Sequence, residues 1–371
     1  MLSVVDTIRG AYFQARTTCE ALKLGEPTRV AHALCIEAVY VSAAGPSKGA
    51  RSARLTAEAE SIARRSGQAH AIAMTQVTRG YALFCQGRFD EALGECDEGA
   101  ALLREKCPGA FWDLRTAMMG SIWSLCWKGE LGELATRAER GIRVAEQRGD
   151  LFAATTLRTG LPNLASLRLG DAAASRALAA DAAKQWSQRG YHNQHYWTML
   201  ALAQADLYED DGRSAYARVT RDWPRITRAL LREVQLMGLE AVHLRARAAL
   251  AAAAKESGSA RASLLRAAAR DRLALARTGT VIGHALADSI CAGLASVRGD
   301  VDLALPALDR AERGFEAVGM GLHAAAARWQ GGTMRGGDEG TARARDAEEW
   351  MRARGVVDPA RMAGLVVPVR G

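Results

Sequence analysis

Glycine recurs along this chain with a period. Gly45, Gly87, Gly129, Gly170, Gly212, Gly258, Gly299 and Gly337 are separated by 42, 42, 41, 42, 46, 41 and 38 residues. A second series, Gly25, Gly67, Gly109, Gly149, Gly190, Gly279, Gly319 and Gly355, falls near the midpoints of the first. Together they punctuate the chain every 18 to 22 residues, with one gap near Glu233. Glycine adopts left-handed backbone cheaply, so glycine at this spacing marks the ends of helices of similar length.

The segments between the marks carry a helical pattern. After Gly87 the apolar residues are Phe89, Ala92, Leu93, Cys96, Ala100 and Leu103; after Gly129 the same steps give Leu131, Leu134, Ala135, Ala138, Ile142 and Ala145. Each set forms one stripe along a helix of 3.6-residue period. After Gly299, Val301, Ala304, Leu305, Leu308 and Phe315 keep most of the stripe, but Glu312 takes one step. Asp150, Asp171 and Asp300 follow marks, where a carboxylate suits a helix N-terminus. No alternating Val/Ile/Thr run suggests a strand, and only 8 prolines interrupt 371 residues. The spacing therefore predicts an all-α chain of helix-turn-helix units about 41 residues long, stacked so that neighbours complete each other's core.

Three stretches are expected. Residues 1–211 form a first stack that starts with a lone second helix. Residues 212–257 form an irregular repeat, where Trp223-Pro224 interrupts a helix and the interval reaches 46. Residues 258–371 resume the repeats and end in a capping helix: Asp358 caps it, Pro359 opens it, and Met362, Leu365 and Val366 fold over the last pair. The start carries Leu2, Val4, Val5 and Ile8 where a solenoid end normally has a polar cap. This implies that the chain is cut from, or partly homologous to, a longer protein.

The composition excludes several classes. With 49% hydrophobic and 24% charged residues the chain can bury a core. No apolar run nears the ~20 residues of a membrane helix, and Asp6 inside the short opening apolar stretch argues against a secretory signal. Seven cysteines, odd in number and without a C-x-x-C pair, read as reduced, mostly buried thiols of a cytoplasmic protein.

Catalytic motifs are missing. The sequence holds no phosphate-binding glycine loop and no kinase carboxylates. Gly45-Pro46-Ser47-Lys48-Gly49 matches the G-x-S-x-G elbow but lies between helices, where it reads as a turn. His192 and His195 lack the H-E-x-x-H pattern and read as packing or surface groups. No catalytic residue, cofactor or metal is expected, and the chain does not read as an enzyme.

Gly80 together with Gly87-Arg88-Phe89-Asp90-Glu91-Ala92-Leu93 resembles a tetratricopeptide repeat, with weaker copies at Gly129–Leu134 and Gly299–Leu305. The unit is longer than the usual 34 residues. More broadly, Val5–Gly10, Trp186–Gly190, Gln194–Trp197 and Arg354–Pro359 resemble the helical-repeat region that follows the kinase domain in large bacterial serine/threonine protein kinases. The resemblance implies a right-handed superhelical solenoid, a role as a protein-interaction scaffold tied to kinase signalling, and a concave groove lined by the helices preceding the first-series glycines. Those helices hold 24 charged side chains netting zero, whereas the helices following the marks hold 63 netting +7.

The groove helices are rich in aromatics, which suit a bound protein or peptide segment. Trp112, Arg115, Trp123, Arg158, Asn163, His195, Trp197 and Asp206 are its candidate contacts. Arg221, Arg225, Arg228, Arg266 and Arg270 form an outer basic face that could dock an acidic protein surface. Segments 88–108 and 300–318 each net −3 and break any continuous nucleic-acid track, so a nucleic-acid partner is not expected. Two alternatives stand beside this reading: a solenoid that senses a small ligand or peptide in the groove, and a nucleic-acid binder that uses the outer arginines.

Overall fold

The computed structural model describes residues 6–369. Among them every regular element is helical and no strand occurs. All members of both glycine series except Gly212 have positive φ, so the marks read from the sequence coincide with helix ends. Gly212 has a different task. A Cβ there would lie 2.4 Å from the backbone of Ala251, and the left-handed residue at that corner is Asp210, with φ 63°.

The chain divides into two compact units. One comprises the residues up to Leu125 with Gly190–Asn193 and Arg228–Gly238; the other comprises Cys126–Arg189, Gln194–Thr227 and the residues from Leu239 onward.

The first unit holds α1 (Thr7–Leu24), α2 (Pro27–Ala43), α3 (Gly49–Ser66), α4 (Ala69–Cys85), α5 (Phe89–Lys106) and most of α6 (Phe111–Lys128). Helix α2 packs on α1, α3 and α4, and α4 packs on α3 and α5. Ala73, Met74, Val77, Ala100, Leu103 and Ala117 form one core cluster. At Gly80 a Cβ would lie 2.6 Å from Cys96 Sγ, so this glycine lets α4 and α5 approach closely. Burial raises the thiols of Cys35 and Cys96 to about 11 and about 12, and all seven cysteines are free. Pro46–Lys48 is a single 3-10 turn between helices, with no strand before Ser47. At the start, Asp6 caps α1 by accepting from Arg9 N–H; Leu2, Val4 and Val5 lie outside the described residues.

The second unit takes up the chain with α7 (Leu131–Gln147), α8 (Leu151–Arg158), α9 (Leu164–Leu167), α10 (Ala172–Gln185), α11 (Asn193–Tyr208) and α12 (Gly212–Arg228). It continues with α13 (Gln235–Ala253), α14 (Gly258–Ala276), α15 (Val281–Val297), α16 (Val301–Ala317), α17 (Gly321–Arg335), α18 (Gly337–Arg352) and α19 (Pro359–Val366). From α14 to α18 each helix packs on the next, and α17 also packs on α19. Pro224 lies inside α12, which runs on to Arg228; within Arg228–Gly238, a segment of the first unit, the chain breaks at Leu230, φ 56°, into a 3-10 turn at Leu231–Glu233. As the sequence implies, Asp358 caps α19 and Met362, Leu365 and Val366 are buried. Two ties join the end of this unit to its beginning: Arg354 pairs with Glu130 at 3.0 Å, and Val357 N–H donates to Arg168 O at 2.8 Å.

Candidate functional site

The stretch 356–369 belongs to no hairpin, yet the second unit encloses it. Val356, Met362, Ala363, Leu365, Val366, Val367 and Val369 are all buried. Side chains of the surrounding helices hold it by its main chain. Arg247 Nη1 on α13 donates to Leu365 O, and Gln330 Nε2 on α17 donates to Val367 O at 3.2 Å. Pro368 O sits where a Cβ on Gly293 would approach to 2.5 Å, so α15 meets the segment without a side chain between them.

Beneath Leu365 and Val366 lies a chamber of about 30 Å³, room for about two waters. Its polar wall comes mainly from α13, where Glu240, His243 and Arg247 share one face at steps of three and four. Gln204 and His323 complete that wall; Leu286 and Leu322 are apolar lining. Tyr196 O–H donates to Glu240 Oε2 at 2.8 Å, and His243 Nε2 lies 3.2 Å from Ser289 Oγ. Four buried atoms of the wall have no hydrogen-bond partner: Glu240 Oε1, Arg247 Nε, Gln204 Oε1 and His323 Nδ1.

Burial dominates the electrostatics. It raises Glu240 to about 7 against the opposing pull of the Tyr196 hydrogen bond and the Arg247 charge. It lowers His323 to about 3 and His243 well below the ordinary imidazole value, with the Arg247 charge adding to both. Arg247 itself falls to about 10 and stays charged at neutral pH. The wall therefore presents one cation, two neutral imidazoles and a carboxyl poised between states. Such a set can donate to and accept from uncharged polar groups. Among the described residues no group of three His, Cys, Asp or Glu side chains is placed to hold a metal ion.

The residues singled out from the sequence take varied positions. Trp112 is 44% exposed, with the Arg115 guanidinium 3.6 Å over its ring. Trp123, three turns further along α6, packs edge-on to Tyr81 at 6.0 Å. These three belong to the first unit; the other five groove candidates belong to the second. Arg158 pairs with Glu146. Asn163 is buried and ties α8 to α10, donating to Arg158 O at 2.9 Å and Ser175 O at 3.1 Å. Trp197 is buried against Gly160, whose N–H donates to Trp197 O at 2.9 Å. His195 is half-buried on α11. Asp206 is buried between Arg176 and Arg218, each at 3.0 Å.

Of the basic candidates, Arg221 and Arg225 are exposed and flank Asp222 at 3.1 and 3.8 Å. Arg266 and Arg270 are exposed on α14, and Arg228 falls in the first unit.

Sequence reasoning passed over Glu240, His243, Arg247 and Gln330. The signal was present on α13, where three polar groups at helical spacing stand in an alanine- and leucine-rich run. No protein-family model matches the chain, and no curated protein matches it either.

Proposed function

We propose that the chain is a non-catalytic protein-interaction scaffold: a right-handed superhelical solenoid of tetratricopeptide-like hairpins, about 41 residues each, that holds a protein segment inside its second unit. The sequence resemblance links this role to bacterial kinase signalling. One observation carries this reading. The helices of the second unit already grip a non-repeat stretch through its main-chain carbonyls, with Arg247 and Gln330 donating to Leu365 O and Val367 O. Donors aimed at a peptide backbone on an apolar floor are a general means of holding a segment while its side chains fill pockets.

The test is an array of short peptides probed with the full chain, followed by anisotropy titration of the strongest binders. Apolar peptides should bind, and in a Leu365→Asp chain, where a buried charge expels the stretch 356–369, Arg247→Ala and Gln330→Ala should each weaken them at least tenfold. An array without binders, or binders indifferent to both substitutions, would defeat the reading.

A further inference from the structure

The stretch 356–369 fills its site imperfectly. It leaves the chamber against Leu365 and Val366 unfilled by protein, and it offers nothing to Arg247 Nε, Glu240 Oε1, Gln204 Oε1 or His323 Nδ1. Its two side-chain anchors take main-chain carbonyls, which any segment on the same path would supply. Helix α19 has 8 residues, too few to persist unsupported, and Gly364 stands in its middle facing open space.

We propose that residues 356–369 are a displaceable internal occupant of this site, and that the partner is an uncharged apolar segment carrying one amide side chain that reaches the chamber. This rests on the scaffold reading above. The chemistry of the partner follows from the wall. A carboxylate entering the chamber would face Glu240, and an ammonium group would face Arg247. An amide meets both demands, since its oxygen accepts from Arg247 Nε and its NH₂ donates to Glu240 Oε1 or Gln204 Oε1. A segment with that group pairs atoms that the resident does not reach, which favours it over the resident.

Two substitutions move the resident in opposite directions. Leu365→Asp ejects it by putting a charge on a buried position. Gly364→Ala strengthens α19, because glycine costs about 1 kcal/mol of helix propensity, about a fivefold change in an equilibrium. The probe is a labelled synthetic peptide of residues 356–369, titrated into the full chain by anisotropy.

The Leu365→Asp protein should bind it at least tenfold more tightly than the parent, and the Gly364→Ala protein about fivefold more weakly. The same peptide carrying Val366→Asn should bind all three proteins more tightly than the unmodified one. Equal affinity for the three proteins would overturn the internal occupant while leaving the scaffold standing, provided Arg247→Ala in the Leu365→Asp chain still weakens binding at least tenfold. No binding of any peptide to any protein would remove both. Should Leu365→Asp fail to fold, hydrogen exchange decides. The Val367 amide, bonded to Ala363 O at 2.8 Å, should open well before global unfolding; exchange only through global unfolding overturns the proposal.

Discussion

Two imidazoles sealed beside a guanidinium set the pH response of the second unit. His323 protonates at 6.5 in the unfolded chain and at about 3 in the folded one, and His243 is displaced in the same direction. Between those values the unfolded state holds more protons, so stability falls as pH drops below 6.5. Glu240 opposes them: its folded value of about 7 lies above the unfolded 4.5, so acidification through that window favours folding. Two histidines outweigh one carboxyl, so the second unit contributes a fall in Tm between about pH 6.5 and 4.5 worth about one net proton. His32 and His192, lowered by burial in the first unit, act in the same direction. His323→Gln should flatten the slope and Glu240→Gln should steepen it; a Tm series across that range in which both variants track the parent excludes this origin. Glycines differ at the same scale. A Cβ at Gly25 meets open space and adds only backbone strain, about 1–2 kcal/mol. At Gly129 it would also lie 2.3 Å from Leu322 Cβ. Gly129→Ala should therefore destabilise clearly more than Gly25→Ala in urea titrations, and equal losses would show that α17 yields freely at this corner.

Along the helices, the sequence pattern predicted the observed burial where contacts are local. Asp150, Asp171 and Asp300 each accept from the backbone N–H three residues on, as their positions after glycine imply. Phe89, Ala92, Cys96, Ala100 and Leu103 are buried at their expected steps, and so are Leu131, Leu134, Ala135, Ala138 and Ala145. Glu312, the polar step in the stripe of α16, is buried too. It accepts from Arg328 Nε at 2.7 Å and Arg343 Nη2 at 2.6 Å. Glu312→Ala should cost about 2 kcal/mol, since it removes both bonds and leaves a void. Glu312→Leu should cost less, because it restores the apolar step while Arg328 retains Glu316 and Arg343 retains Asp309. Equal losses in denaturant would mean that the position selects charge rather than volume. Periodicity gave no account of which helix meets the stretch 356–369. Arg247 and Leu365 are 118 residues apart, and no local rule joins them. Asn163 and Asp206 read as groove contacts for a related reason: a polar residue on an apolar helix looks the same whether it faces a ligand or a partner such as Ser175 or Arg176.

At the scale of whole units, the stability of a repeat array is a sum of neighbour interfaces, so its ends open first. Helix α1 fits that rule: it packs chiefly on α2, and it leaves Ile8, Tyr12, Leu22 and Leu24 exposed. The second unit departs from it. Arg354 reaches Glu130 across 224 residues, Val357 N–H reaches Arg168 O, and Gly129 and Gly321 pass close to Leu322 and Lys128 O. Early and late helices of that unit thus protect each other, and, apart from the displaceable stretch 356–369, its opening should be more nearly all-or-none. Arg354→Ala removes one tie, and with it the stacking of the guanidinium over Trp350 of α18 at 3.6 Å. Hydrogen exchange of the full chain should then show lost protection in α7, far away in sequence, as well as in α18. Protection should remain graded outward toward α1 in the first unit. A loss confined to the α18–α19 region would mean that the tie carries no cooperativity, and that the second unit unravels from its ends like an open array.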